Sequence, residues 1–266
     1  MPASTVAEYL AVLPADRRDA LNEVRRGILN KMMRRYFLIG ACALLGIGGN
    51  ARLAAEDSFI ILPGTQSPDG RFAIGWGLPK HPEIWNKARE DKEEQAEALI
   101  TDVGQFEEDV ENYLVDLRAT QVLGKLGSHY WRMSKLLPNR HDLDVVWSAA
   151  SNLVVVNHTF RWDCRAFEAV RIIDGKIGAR LDLKKALDAK LRQHFKKTLP
   201  RGSGITMPDV AISFSEPALV SGETFKATVE AIFPSKRDGW SGTAEIRFAL
   251  TPSKESGLAL KVLSLK

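Results

Sequence analysis

Between residues 166 and 183 the chain reads AFEAVRIIDGKIGARLDL. Two runs rich in β-branched and apolar residues flank Asp174-Gly175, a dipeptide that accepts the positive φ angles of a two-residue hairpin turn. This pattern predicts two antiparallel strands joined locally, and it recurs along the chain. NYLVDL-RAT-QVLGKL (112–126) predicts a second hairpin, and LDVVWS (143–148) with NLVVVNH (152–158) two further strands. Phe59–Leu62 and Phe72–Trp76 read as short strands around Ser67-Pro68-Asp69-Gly70, where Pro pre-sets φ and Gly permits a positive one. Four more strands are expected near 209–215, 223–233, 243–250 and 258–265, punctuated by Pro208, Pro217, Pro234 and Pro252.

Helical spacing is confined to a few places. Glu83 to Thr101 reads as a helix whose KAREDKEEQAEAL face carries i,i+4 charge pairs. Residues 182–199 read as an amphipathic helix: Asp182 is the cap, Leu183, Leu187, Leu191 and Phe195 share one face, and Pro200 and Gly202 end it. Near the start, Thr5 and Glu8 fit a capping box, Pro14 interrupts, and Leu21, Val24, Ile28 and Leu29 continue the apolar face. The expected class is α+β, mainly β: antiparallel blade-like sheets with helical insertions, preceded by N-terminal helices and a signal-like segment.

That segment is MMRRYFLIGACALLGIGGNARLAAED, residues 32–57. Arg34 and Arg35 precede an apolar run from Tyr36 to Ile47, shorter than the ~20 residues a membrane-spanning helix needs. A positive start, a short apolar run and small residues after it are the marks of an export signal. Cleavage is expected after Ala51 or Ala55. An uncleaved anchor through residues 36–49, a buried helix, and translation from Met32 or Met33 are the alternatives. The chain thus divides into a helical extension (1–31), a signal peptide or membrane anchor (32–55) and a β-rich exported domain (56–266), periplasmic or secreted, or anchored at the inner membrane.

Charge follows the same division. Residues 1–51 hold seven Lys/Arg and four Asp/Glu, whereas the rest holds 30 and 29, so the basic balance belongs to the leader. A nearly neutral domain gives no electrostatic reason to expect nucleic acid. Cys42 lies in the apolar run and Cys164 is the other cysteine, which leaves the exported part without an internal disulfide.

SPDGRFAIG (67–75) and SAASNLVVV (148–156) echo one another at an offset of 81 residues: Ser67 aligns with Ser148, Phe72 with Leu153, Ile74 with Val155. A hairpin follows each. Residues 83–104 and 127–142 would be insertions between the repeated parts. The Ser-Pro-Asp-Gly-Arg turn before an apolar strand resembles TolB-like and WD-type β-propeller repeats. Residues 57–266 are similar to secreted bacterial proteins of unknown function, through NRHDLDVVWSAAS. This chain departs from their pattern at Asp142, where the pattern has Gly, and at Ala149-Ala150, where it has Pro-Asp. The resemblance implies blade-like sheets, too few to close a ring of four or more blades. Separately, residues 4–28 (TVAEYLAVLPADRRDALNEVRRGI within them) resemble the start of a YdhG-type, iron-chaperone-like domain, a fragment that carries no function over.

None of the five histidines has a partner at metal-ligand spacing in sequence. If strands 143–148 and 153–158 pair, His141 and His158 meet at one end of the sheet, near Asp142, Asp144 and Asp163. His141, His158 and Asp163 are the candidates for a metal site in a metal-dependent hydrolase. Trp131, Trp147 and Trp162 are candidates for a ligand-binding face. Glu107, Glu108 and Asp109 read as a solvated acidic loop, and Gly202 and Gly204 as a linker. No nucleophile–base order is defensible. The expectation is therefore a non-enzymatic binding or scaffold domain of the cell envelope, with no cofactor and no partner identified.

Overall fold

The computed structural model describes residues 59–90, 96–133, 141–160, 163–233, 239–254 and 257–266. The helices expected over 4–31 and the apolar segment of 32–55 lie outside the described residues. The chain divides into Met1–Gly48 and Gly49–Lys266, and the second unit is the one described below.

Its strands form three four-stranded antiparallel sheets, each a meander in chain order. Sheet 1 holds β1 (Ile60–Ile61), β2 (Phe72–Gly77), β3 (Glu111–Asp116) and β4 (Gln121–Lys125). Sheet 2 holds β5 (His141–Trp147), β6 (Leu153–Phe160), β7 (Asp163–Ile173) and β8 (Lys176–Asp182). Sheet 3 holds β9 (Ala211–Ser221), β10 (Thr224–Phe233), β11 (Trp240–Thr251) and β12 (Ala259–Leu265). The chain is mainly antiparallel β. Between β7 and β8, Asp174 (φ 51°) and Gly175 (φ 72°) both take positive φ, and Ile173 pairs with Lys176 as a two-residue hairpin requires.

Among the described residues three helices accompany the sheets: α1 (Pro82–Glu90), α2 (Ala96–Gly104) and α3 (Leu183–Lys196). The continuous helix expected from Glu83 to Thr101 is thus described as two, on either side of residues 91–95, which lie outside the described residues. α1 buries Ile84, Trp85 and Ala88. α3 starts where Asp182 accepts a hydrogen bond from the Lys185 amide, and it buries Leu183, Leu187, Leu191 and Phe195. The carboxylate satisfies one of the amides that a helix start leaves without an intrahelical partner.

Sheet 2 is shared by two hydrophobic cores. Val154, Val156, Val170 and Ile172 face Phe72, Ile74, Trp76 and Leu114 of sheet 1, together with Trp85 and Leu99 of the helices. Leu153, Val155, Phe167 and Ala169 face α3 and Phe225, Val229, Ile246 and Phe248 of sheet 3. A strand covered on both faces needs apolar residues at successive positions, which is why β6 reads LVVV without alternation.

The repeated turn has the same wiring in both copies. The Ser67 amide donates to Phe72 O (2.8 Å), the Gly70 amide to Ser67 O (2.9 Å) and the Phe72 amide to Ser67 Oγ (2.9 Å). In sheet 2 the Ser148 amide donates to Leu153 O (2.8 Å), Ser151 N to Ser148 O (2.9 Å) and Leu153 N to Ser148 Oγ (3.1 Å). Ser151 takes the place of Gly70 at φ 58° against 67°. The Ser67 hydroxyl donates to Asp69 Oδ1 (2.6 Å), whereas the Ser148 hydroxyl donates to Asn152 Oδ1 (3.0 Å), so Asn152 supplies the acceptor that Ala150 lacks. The copies also touch: the Asp69 amide donates to Ser151 Oγ (3.2 Å), and Trp147 Nε1 donates to Thr65 O (2.9 Å).

Candidate functional site at a buried histidine chain

After β4 the chain crosses from sheet 1 to sheet 2 as a strap, residues 127–131 (GSHYW). The strap is gripped through its backbone. The Gly127 amide donates to Glu168 Oε1 (2.6 Å), and the His129 amide to His158 Nδ1 (3.2 Å). Asn112 pairs with Tyr130 on both sides of its amide, accepting from Tyr130 N (2.8 Å) and donating to Tyr130 O (2.6 Å). Each grip satisfies a main-chain group that burial would otherwise leave costly.

His158 stands on the sheet 1 side of β6, in line with Val154 and Val156. β5 pairs with β6 so that His141 lies opposite Phe160 and Leu143 opposite His158. The two imidazoles stack with centroids 5.5 Å apart, and His141 Nδ1 lies 3.3 Å from His158 Nε2. His141 Nε2 lies 3.3 Å from Glu107 Oε2 in the 3₁₀ turn Glu107–Asp109. Arg165 closes the outer side, with Nη1 2.8 Å from Glu108 Oε1, Nη2 3.8 Å from Glu107 Oε1 and the guanidinium 5.1 Å from the Phe160 ring centroid.

The tautomers follow from the partners. An amide only donates, so His158 Nδ1 must accept from His129 N–H and the His158 proton sits on Nε2. That N–H points at His141 Nδ1, which accepts, so the His141 proton sits on its own Nε2 and faces the Glu107 carboxylate. Donors and acceptors therefore run one way, from His129 N–H through His158 and His141 to Glu107. His129 is fixed independently: its Nδ1 lies 2.7 Å from the Val110 carbonyl, which only accepts.

Both rings are held neutral. Desolvation lowers the His158 pKa to about 3, and His141 and His129 add to the effect. Desolvation also lowers His141, against the pull of Glu107. Burial raises Glu168, opposed by the Gly127 amide and Arg180.

The structure brings His141 and His158 together as their expected strand pairing requires, but not Asp163. That carboxylate is 3.8 Å from Arg165 Nε and 3.7 Å from Lys184 Nζ. A metal ion binds the lone pair of a neutral imidazole, and the chain already occupies both Nδ1 lone pairs of the histidine pair. Among the described residues no group of three or more His, Cys, Asp or Glu is placed to hold a metal ion.

The tryptophans correct another expectation. Trp131 (2 % exposed) and Trp147 (8 % exposed) lie in the first core, so they offer no ring face to a ligand. Trp147 stacks on Phe72 with centroids 6.1 Å apart. Trp162 lies outside the described residues. The acidic loop is more than solvated, because Glu107 faces His141, Glu108 faces Arg165, and Asp109 holds Lys80 (2.7 Å) and His81 (2.9 Å). Glu107, His129 and Arg165 are the site residues that sequence reasoning missed. They come from three separate elements, and no local pattern joins them.

Around the histidines, Glu107, Glu108, His129, His141, His158 and Arg165 enclose a cavity of about 10 Å³, room for one water-sized body at most. A second cavity of about 130 Å³ lies between α3 and β9, lined by Asp163, Lys184, Asp188, Arg192, Val210 and Phe214 among others. Its charges are mutually engaged: Arg192 pairs with Asp188 (2.9 Å), and Lys184 bonds the Cys164 carbonyl. Comparison with protein-family models, with curated proteins and with solved structures finds no match.

Proposed function

We propose that the chain is an exported, β-rich binding or scaffold protein of the cell envelope, without catalytic chemistry of its own. The observation that carries this reading is the set of three four-stranded meanders joined through two shared cores, with the polar groups of the histidine chain engaged with one another. Glu107, His141, His158, His129, Asn112 and Glu168 fasten the strap and the sheets to each other. The repeated serine turn supports reading the sheets as blade-like, with α1 and α2 as an insertion within sheet 1 and the strap as one between sheets 1 and 2. Three such sheets do not close a ring. The apolar stretch behind Arg34 and Arg35 supports export.

The hydrolase alternative loses its ligand set, since Asp163 faces Lys184 and Arg165 rather than the histidines. No helix among the described residues is long and apolar enough to cross a membrane. Mass spectrometry of the N-terminus of the natively expressed protein, combined with cell fractionation, tests the proposal. The expected product begins after Ala51 or Ala55 and is recovered from the periplasm or medium. An uncleaved chain that resists carbonate extraction of membranes would replace this reading with a tethered one. An intact chain in the cytosol would overturn it.

A further inference from the structure

We infer that the His129–His158–His141–Glu107 chain is an acid-released latch, which holds the leading end of β5 and the 107–109 turn against β6 only while both imidazoles carry a single proton. The inference rests on the direction of the chain and is independent of where the protein is located.

With one proton per ring, each nitrogen of the pair has its complement. His158 Nδ1 accepts the His129 amide at 3.2 Å, and His158 Nε2–H meets His141 Nδ1 at 3.3 Å. A second proton has two places to go, and each faces a donor. On His158 Nδ1 it points at the His129 amide. On His141 Nδ1 it points at His158 Nε2–H. Moving the His158 proton to Nδ1 to make room repeats the first conflict. One added proton therefore always breaks one link.

The surroundings choose which link breaks. His158 is 1 % exposed, with Tyr130 edge-on at 6.0 Å and His129 beside it, and among the described residues no carboxylate is paired with it. His141 has Glu107 at 3.3 Å from the 3₁₀ turn and Asp142 next to it on β5, both favouring a positive ring. Arg165 of β7 opposes it, although Glu107, Glu108 and Asp163 lie within 3.8 Å of that guanidinium. The proton goes to His141, and the break falls between the two rings. His141 then forms a charged pair with Glu107 and leaves with the turn. His158 keeps the His129 amide, and the strap stays in place.

The test combines ring-nitrogen NMR of the full chain with hydrogen exchange by mass spectrometry between pH 7.5 and 4.5, corrected for intrinsic rates. At pH 7.5 both His141 and His158 are expected as neutral rings protonated on Nε2. On acidification, amides at the start of β5 and in 106–110 lose about tenfold or more in protection, while β6, β7 and the strap keep theirs. His141→Phe, which keeps a ring against Phe160 but takes no proton, removes the selective loss. An Nδ1-protonated or doubly protonated His158 at pH 7.5 would overturn the latch. So would protection that falls equally in all three sheets, or not at all. The wild-type measurements decide the matter even if the variant fails to fold.

Discussion

The decisive contacts at the residue scale are small polar groups that accept one buried amide each. Ser67 and Ser148 do so in the repeated turn, and His158 does so for the strap. Holding a buried histidine neutral has a consequence in solution. The unfolded chain takes up a proton near pH 6.5 that folded His158 refuses until about pH 3. This contribution to stability is complete above pH 6.5 and is lost progressively as pH falls toward 3, by about 1.4 kcal/mol per pH unit. Glu168 and Asp144, both raised by burial, act in the opposite sense. Asp69 and Asp116 are held low against burial by hydrogen bonds, from Ser67 and from Arg71 respectively, and add to the loss at the acid end. Urea midpoints at pH 7, 6 and 5 are therefore expected to fall in that order. A flat profile that persists in Glu168→Gln and Asp144→Asn variants would mean that His158 protonates in place.

Legibility differs by element for physical reasons. α3 was readable because its signals are local: a capping aspartate, apolar residues four apart, and Pro200 with Gly202 beyond the end. The β7–β8 hairpin was readable because Asp174-Gly175 allows few alternatives. β1 is shorter than the expected Phe59–Leu62: Ile60 and Ile61 pair with Trp76 and Gly75, and the Leu62 amide still donates to Ile74 O (2.9 Å). The strap left no periodic signal. Its bonds run to Glu168, His158 and Asn112, between 18 and 41 residues away. The aromatic residues around it were visible, but composition does not distinguish a core tryptophan from one that lines a binding face. For α3 the energetics are separable. Asp182→Ala is expected to cost about 1 kcal/mol by leaving the Lys185 amide without its acceptor. Leu187→Ala is expected to cost about 2–5 kcal/mol by opening a void in the core that α3 shares with sheets 2 and 3. Chemical denaturation of both variants checks the ratio, and equal losses would place the helix's contribution at its end rather than its face.

At the scale of the molecule, sheet 2 makes the two cores interdependent, because each of its inner strands contributes alternate residues to both. Arg171 adds a polar tie from sheet 2 to sheet 3, meeting Glu223 with two bonds of 2.9 and 2.7 Å. Arg171 is 8 % exposed, so Glu223→Gln removes the countercharge from a cation with little access to water. The expected cost is about 1–3 kcal/mol, and the unfolding transitions seen by tryptophan fluorescence and far-ultraviolet circular dichroism should still coincide. Separate transitions would show sheet 3 melting alone and would contradict a shared middle layer. The strap carries a different lesson. It is clasped by its main chain, which every amino acid possesses, so the five letters GSHYW do little to advertise the clasp. A lineage of such molecules would have to keep Asn112, His158 and Glu168 to hold the main chain, and side chains that fit where Ser128, Tyr130 and Trp131 are buried. The memory of the closure is divided between the fingers and what they hold.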